Sequence, residues 1–78
     1  MYYVYLLELS NKTLYVGYST NLSERIKSHQ NGQVLHTSKF RPIKLVYYSA
    51  FLNQEKALLF EKYLKGSSGK AFRNKHLL

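Results

Sequence analysis

The sequence offers few side chains that could carry out acid–base or metal chemistry. All four acidic residues among its 78 are glutamates, and there is neither aspartate nor cysteine. A site for two divalent ions needs several clustered carboxylates, and thiolate chemistry needs cysteine, so the composition argues against both. A hydrolytic site in this chain would therefore combine one carboxylate and one ion with tyrosine, arginine and histidine.

Two of these groups belong to a short predicted helix, on the side that should face a sheet. The i, i+3, i+4, i+7 rule puts Arg25 and His29 on one stripe with Leu22 and Ile26. An inward arginine and histidine favour a functional site at the sheet edge. The alternative is a loosely packed helix, with the stem of Arg25 lying along the sheet.

The candidate carboxylate is Glu61. It borders an apolar helical stripe made of Ala57, Phe60 and Leu64. A carboxylate in that position must be neutralised by a metal ion or by a cationic side chain. The pattern alone leaves two interpretations open, a metal site or a salt bridge to Arg25 or Lys65.

The tyrosines add a third element, and its geometry depends on one turn. A three-residue turn at 10–12 would pair Leu7 with Tyr15 and Tyr5 with Gly17. Tyr5 and Tyr15 would then be diagonal neighbours on one face of a hairpin. A two-residue turn would send them to opposite faces.

The elements that must position these groups can be read from the pattern. Strands are predicted over 2–9, 13–18 and 45–48, and a basic loop over 33–43. A first helix is predicted over 22–31, capped by Asn21, and a second from Asn53 to Lys65, ended by Gly66. A last helical turn or two is predicted over 69–76. The order is β-β-α-β-α-α. At this length the chain makes one α+β domain over 1–78, with a small three-stranded antiparallel sheet flanked by helices.

The charge predicts a polyanionic partner. Twelve lysines and arginines against four acids give a formal net charge of +8, and association with phosphates would relieve the self-repulsion. No signal peptide, long apolar run or amphipathic membrane helix is evident. We therefore expect a cytoplasmic protein that binds nucleic acid rather than a membrane.

Taken in order, these residues resemble a known family. Tyr3-Val4-Tyr5 followed by Tyr15-Val16-Gly17 is similar to the paired signature of the GIY-YIG endonucleases, and the helix arginine and glutamate of that family match Arg25 and Glu61. Thr37-Ser38-Lys39 also resembles their middle segment. The sequence departs from the pattern at Tyr3, where a glycine is expected, and at Tyr18, where some members have lysine.

The resemblance implies a DNA endonuclease, acting in DNA repair or processing. One Mg²⁺ or Mn²⁺ on Glu61 would assist phosphodiester hydrolysis, Arg25 would stabilise the phosphate charge, and a tyrosine (Tyr5 or Tyr15), helped by His29, would activate water. Specificity would come from DNA shape, a partner protein or a homodimer. Residues expected to contact the DNA are Lys39, Arg41, Lys70, Arg73 and Lys75, with Asn74 as a further site residue.

Two other function classes compete with this interpretation. A non-catalytic DNA- or RNA-binding module on the same fold would be marked by loss of Arg25 or Glu61, and the sequence retains both. A small basic domain that binds ribosomes or proteins would not require arginine, histidine and glutamate on inward faces.

Overall fold

The central strand of the sheet is apolar on both faces, which explains why it lies in the middle. The computed structural model describes residues 1–66. Its three antiparallel strands are β1 (Tyr2–Glu8), β2 (Leu14–Ser19) and β3 (Lys44–Phe51), in the order β2-β1-β3. The β1 residues at 4–7 alternate between the two faces and are all fully buried. Both faces of β1 must therefore be covered by helices.

The hairpin joining β1 to β2 has the three-residue turn, the first of the two alternatives that the sequence left open. The Leu9 amide donates to the Thr13 carbonyl at 2.9 Å, and Lys12 in the turn has a positive φ of 70°. The strands pair with Tyr5 opposite Gly17 and Leu7 opposite Tyr15. The register therefore places Tyr5 and Tyr15 on the same face of the sheet, as expected for a three-residue turn.

Helix α1 (Leu22–Gln30) begins and ends at the predicted signals. The Asn21 side chain accepts a hydrogen bond from the Glu24 amide at 3.2 Å. The Asn21 amide donates to the Ser19 hydroxyl at 3.0 Å, so a serine replaces the glutamate of a full capping box. After Asn31, Gly32 has a φ of 77°, a conformation that glycine adopts without strain and that ends the helix.

The segment predicted as a basic loop over 33–43 is partly helical, which corrects that expectation. Residues Leu35–Ser38 form the one-turn helix α2. Its start has no side-chain cap, and its leucine, Leu35, is 84% exposed. The segment therefore lacks both the capping residue and the buried apolar stripe by which helices are recognised in sequence. Strand β3 is also longer than the predicted 45–48, because its pairing with β1 continues to Phe51 opposite Tyr2.

Helix α3 (Gln54–Lys65) matches its prediction at both ends. Asn53 caps it through the Lys56 amide at 3.0 Å, and Gly66 ends it. The buried cluster beneath it comprises Val4, Leu6, Val16, Ala57 and Leu64. The helical turn predicted over 69–76 lies outside the described residues.

The other face of the sheet is covered by α1 and the segment around α2. Its buried residues are Tyr5, Leu7 and Leu9, with partly buried neighbours that include Leu22, Ile26 and Phe40. The sheet therefore lies between two helical layers. No helix within residues 1–66 has the length and apolar character that crossing a membrane requires.

Gly17 is the position at which this packing is least tolerant of change. A Cβ added there would overlap the ring and hydroxyl of Tyr5, with the ring Cε1 at 2.7 Å. We expect Gly17→Ala to lower the free energy of unfolding by about 1–3 kcal/mol, measured by urea denaturation.

The matched control is Gly66→Ala, since among residues 1–66 a Cβ at Gly66 meets only backbone oxygens, at 3.6 and 3.8 Å. That variant should unfold at nearly the wild-type urea concentration. Equal stability of the two variants would show that the position of the Tyr5 ring does not require a glycine at residue 17.

Candidate active site

The hydroxyl of Tyr5 is the point at which the central strand meets helix α1. It lies 2.9 Å from His29 Nε2, and Arg25 Nε donates to it at 3.4 Å. Arg25 and His29 are one turn apart on α1, which explains how both reach the same oxygen. The functional interpretation of the inward arginine and histidine therefore fits the observed geometry.

His29 is fully buried and has a partner on each ring nitrogen. Its Nδ1 lies 2.8 Å from the hydroxyl of Thr37, which is also fully buried. Burial lowers the pKa of His29 from 6.5 to about 4, and the positive charge of Arg25 acts in the same direction. The imidazole is therefore neutral at pH 7 and able to accept a proton on one nitrogen.

Tyr5 is likewise held in its neutral form. Burial raises the pKa of its phenol above 10, and the hydrogen bond from Arg25 opposes this shift without overcoming it. That same hydrogen bond raises the pKa of Arg25, with a smaller contribution from Tyr15. Without substrate, the cluster formed by Tyr5, Arg25 and His29 thus contains one cation beside a neutral phenol and a neutral imidazole.

Tyr15 forms the half-buried side of the cluster. Its ring centroid lies 6.4 Å from that of Tyr5 and 5.2 Å from that of His29. On its other side, the exposed His36 ring is 5.2 Å away. Tyr15 therefore lies between the buried His29 and the surface, and it contacts α2 through the ring of His36.

Glu61 occupies the edge of the site, on α3. Its carboxylate pairs with Lys65 Nζ at 3.2 Å, so of the two cationic partners predicted for it the structure contains Lys65 and not Arg25. Within residues 1–66, no hydrogen bond joins Glu61 to the other four predicted catalytic side chains. Its negative charge nevertheless contributes to raising the pKa of Tyr5.

A groove beside β2 brings these elements together. It has a volume of about 360 Å³ and is lined by Leu14, Tyr15, Val16, His36, Leu64 and Lys65. The groove thus joins Tyr15 of the cluster to Lys65, the partner of Glu61. A molecule bound in it would contact Tyr15 and the Lys65 partner of Glu61.

The residues predicted to contact DNA differ in how the structure uses them. Lys39 is exposed at the end of α2. Arg41 donates to the backbone carbonyls of Ser38 at 3.1 Å and Gln30 at 3.3 Å, so it also ties α2 to α1. The other three, Lys70, Arg73 and Lys75, lie outside the described residues, as does Asn74, the further predicted site residue.

Two site residues were not predicted, namely Thr37 and His36. A threonine and a histidine in a presumed loop have no periodic pattern that would indicate burial or exposure. Only the position of α2 against α1 places Thr37 on His29 and His36 on Tyr15.

Comparison with known proteins identifies the domain. The family model described as the GIY-YIG catalytic domain matches residues 1–75. The chain belongs to the GIY-YIG family. The two tyrosine motifs of this family are the segments paired in the β1–β2 hairpin, and Gly17, the glycine of the second motif, makes room for Tyr5 of the first. Tyr3, which replaces the first glycine, is half-buried beside Tyr48 at a centroid distance of 6.4 Å.

Individual GIY-YIG relatives agree with this assignment. The chain is 39% identical over 72 residues to a UPF0213 protein of Pediococcus acidilactici, covering 88% of this chain and 74% of that one. It is 42% identical over 66 residues to a UPF0213 protein of Clostridium perfringens, covering 83% and 71%. The NMR structure of a UPF0213 protein from Bacillus halodurans matches with a TM-score of 0.61 and 33% identity, covering 96% and 84%. The match to the GIY-YIG family model indicates that the chain has a nuclease-type fold.

The buried neutral His29 predicts a specific dependence of stability on pH. Its pKa in the folded state is about 4, below the value of 6.5 expected in the unfolded state. Between these values the unfolded chain takes up a proton that the folded chain does not, so stability falls as the pH falls. From pH 7 to pH 5 we expect the contribution of His29 to the free energy of unfolding to decrease by about 2 kcal/mol.

The measurement is urea denaturation of the wild type and of His29→Gln at both pH values. The variant should lose less stability than the wild type on acidification. His36→Gln, which changes an exposed histidine, serves as the control. An equal pH response of wild type and His29→Gln would contradict a buried neutral imidazole.

Proposed function

We propose that this GIY-YIG protein is a DNA endonuclease that hydrolyses phosphodiester bonds with the help of one divalent ion. The observation that carries the proposal is the Tyr5 hydroxyl, held between a neutral proton acceptor, His29, and a cation, Arg25. Phosphodiester hydrolysis requires both functions, removal of a proton from water and neutralisation of phosphate charge.

In the proposed reaction Tyr5 and His29 act together as the base. As the oxygen of water bonds to phosphorus, a proton of that water passes to the Tyr5 oxygen, and the phenol proton passes to His29 Nε2. The bond from phosphorus to the leaving oxygen breaks, and that oxygen keeps the electron pair and takes up a proton from solvent. His29 then returns its proton to solvent. Because the phenol never carries a full negative charge, its raised pKa does not prevent the transfer.

The phosphate itself is needed to make this transfer favourable. In the free protein, the low pKa of His29 reflects burial next to Arg25. A bound phosphate would attract the guanidinium and add negative charge close to the imidazole, which stabilises the imidazolium. Arg25, which is half-buried, would donate to the non-bridging oxygens as their charge increases.

The donor set at the edge of the site is consistent with a single hard cation. Residues 1–66 contain no cluster of three or more histidine, cysteine, aspartate or glutamate side chains that could hold a metal ion. Mg²⁺, however, is often bound through one or two carboxylates together with substrate phosphates and water. Glu61, 20% exposed and paired with a 57% exposed lysine, can provide that carboxylate. The ion would supply Lewis acidity to the phosphate and the leaving oxygen.

Duplex DNA is the proposed substrate, with DNA repair or processing as its setting. The net charge of +8 provides a sequence-independent attraction to phosphates, and the family supplies the substrate class. The non-catalytic alternative shares these features but does not account for a buried phenol with its own proton acceptor.

The direct test of the activity is cleavage of supercoiled plasmid in Mg²⁺ or Mn²⁺, with chelator as the control. Tyr5→Phe keeps the ring and removes the hydroxyl, so we expect it to fold and to lose about 100-fold or more of the cleavage rate. Tyr15→Phe should lose less, since Tyr15 is not hydrogen-bonded to His29.

The matched control for both variants is Tyr48→Phe, on the exposed surface of β3. It should cleave at the wild-type rate. Normal cleavage by Tyr5→Phe would refute the assignment of Tyr5 as the base, and absence of cleavage by the wild type in either metal would favour the non-catalytic alternative.

The role of Glu61 has a separate test. Glu61→Gln keeps the shape of the side chain and removes the charge, so DNA binding should remain within a few-fold of wild type while cleavage is lost. Binding is followed by fluorescence anisotropy at several salt concentrations, where it should weaken steeply as salt increases. Glu55→Gln, an exposed glutamate in the first turn of the same helix, is the control. Full cleavage by Glu61→Gln would leave Glu61 only as the salt-bridge partner of Lys65.

A further inference from the structure

The hydroxyl of Thr37 is placed where it can determine the protonation of His29. Thr37 is fully buried at the centre of the one-turn helix α2. Its Oγ1 lies 2.8 Å from His29 Nδ1 and donates to the Val34 carbonyl at 3.4 Å. The Thr37 amide also donates to that carbonyl, at 3.1 Å, which holds the residue in place.

These contacts favour one direction for each hydrogen bond. A threonine hydroxyl has one proton, and here the Val34 carbonyl accepts it. With that proton used, the Thr37 oxygen acts as an acceptor towards His29, which favours an imidazole that carries its proton on Nδ1. Nε2 is left with a lone pair, and the Tyr5 hydroxyl donates to it at 2.9 Å.

The opposite tautomer leaves a buried group without a partner. If Nε2 carried the proton, it would donate to Tyr5, and Arg25 Nε donates to the same oxygen. Among the described residues, no acceptor would then remain for the phenol proton of Tyr5. An unsatisfied hydroxyl in a fully buried side chain is costly, so the network as a whole selects the Nδ1–H form.

We propose that Thr37 is a positioning residue, which holds His29 as the Nδ1–H tautomer so that Nε2 can accept the proton of Tyr5. The proposal deepens the proposed function and rests on it for the consequence in catalysis. The side-chain hydrogen bonds of Thr37 go to His29 and Val34 and not to Tyr5, and the proposed reaction gives Thr37 no contact with the substrate. Its effect passes entirely through the imidazole, as in other sites where a second hydrogen bond selects the reactive nitrogen of a histidine.

The tautomer can be measured in the unaltered protein. ¹⁵N NMR distinguishes the protonated from the unprotonated nitrogen of a neutral imidazole, and it requires neither DNA nor metal. We expect His29 at pH 7 to carry its proton on Nδ1. A proton on Nε2 would overturn the proposal, whatever the protein does to DNA.

Two substitutions then test the cause. Thr37→Val keeps the branched shape and removes the hydroxyl, and we expect the Nε2–H form to become populated and the cleavage rate at saturating DNA to fall by about 100-fold. Thr37→Ser restores the hydroxyl and should recover the Nδ1–H form and most of the rate. Thr20→Val makes the same change at an exposed threonine and controls for the substitution itself.

The readouts separate this proposal from the proposed function. A Thr37→Val variant that keeps both the Nδ1–H form and the wild-type rate would refute the role of Thr37. Loss of rate without a change of tautomer, or without recovery in Thr37→Ser, would also refute it and would indicate a packing role. If the wild type cleaves no DNA, the proposed function fails, and the NMR comparison alone decides whether Thr37 sets the tautomer.

Discussion

The hydrogen bond between the Tyr5 hydroxyl and His29 Nε2 is the interaction on which the rest of the structure depends. It crosses from the central strand to α1 inside the core, where both side chains are fully buried. A buried polar group costs free energy unless it is partnered. The surroundings are therefore constrained. Gly17 must lack a side chain for the Tyr5 ring to fit, and Thr37 must reach the second imidazole nitrogen.

The same interaction explains why the buried polar residues His29 and Thr37 lie in one helical layer, while the buried cluster under the other layer is apolar. The cluster beneath α3 is made of aliphatic side chains and alanine. The layer on the other face contains Tyr5 among leucines and adds a buried histidine and threonine. A 78-residue chain without disulfides has few sources of stability, so polar groups that replace apolar packing in one of its two cores are a costly feature. Burial keeps Tyr5 and His29 neutral and in contact, which is the state that the proposed reaction requires.

The parts of the fold that depend on local signals could be predicted from the sequence. The caps at Asn21 and Asn53 are set by short-range hydrogen bonds, and the three-residue turn fixes the register that pairs Tyr5 with Gly17. Arg25 and His29 were placed together because helical spacing alone puts them on one face. These predictions were confirmed because each rests on geometry within a few residues.

What could not be predicted depends on contacts between distant segments. Helix α2 has no side-chain cap and is a single turn, so only its packing defines it. Thr37 gained no significance until α2 was placed against α1. The partner of Glu61 was also undetermined, since the pattern fitted a metal ion, Arg25 on a distant segment or Lys65 on the same helix, and the structure contains the pair with Lys65. The end of β3 was missed because it is set by pairing with β1.

The central claim is that Tyr5 and His29 act as one unit in removing the proton of water. The most direct measurement is the single-turnover cleavage rate of the double variant Tyr5→Phe/His29→Gln, compared with each single variant. Residues that act as a unit are strongly non-additive, because removing either one already disables the pair. We predict that the double variant is no slower than the slower single variant. Losses that multiply in the double variant would show that the two residues act independently and would contradict the account.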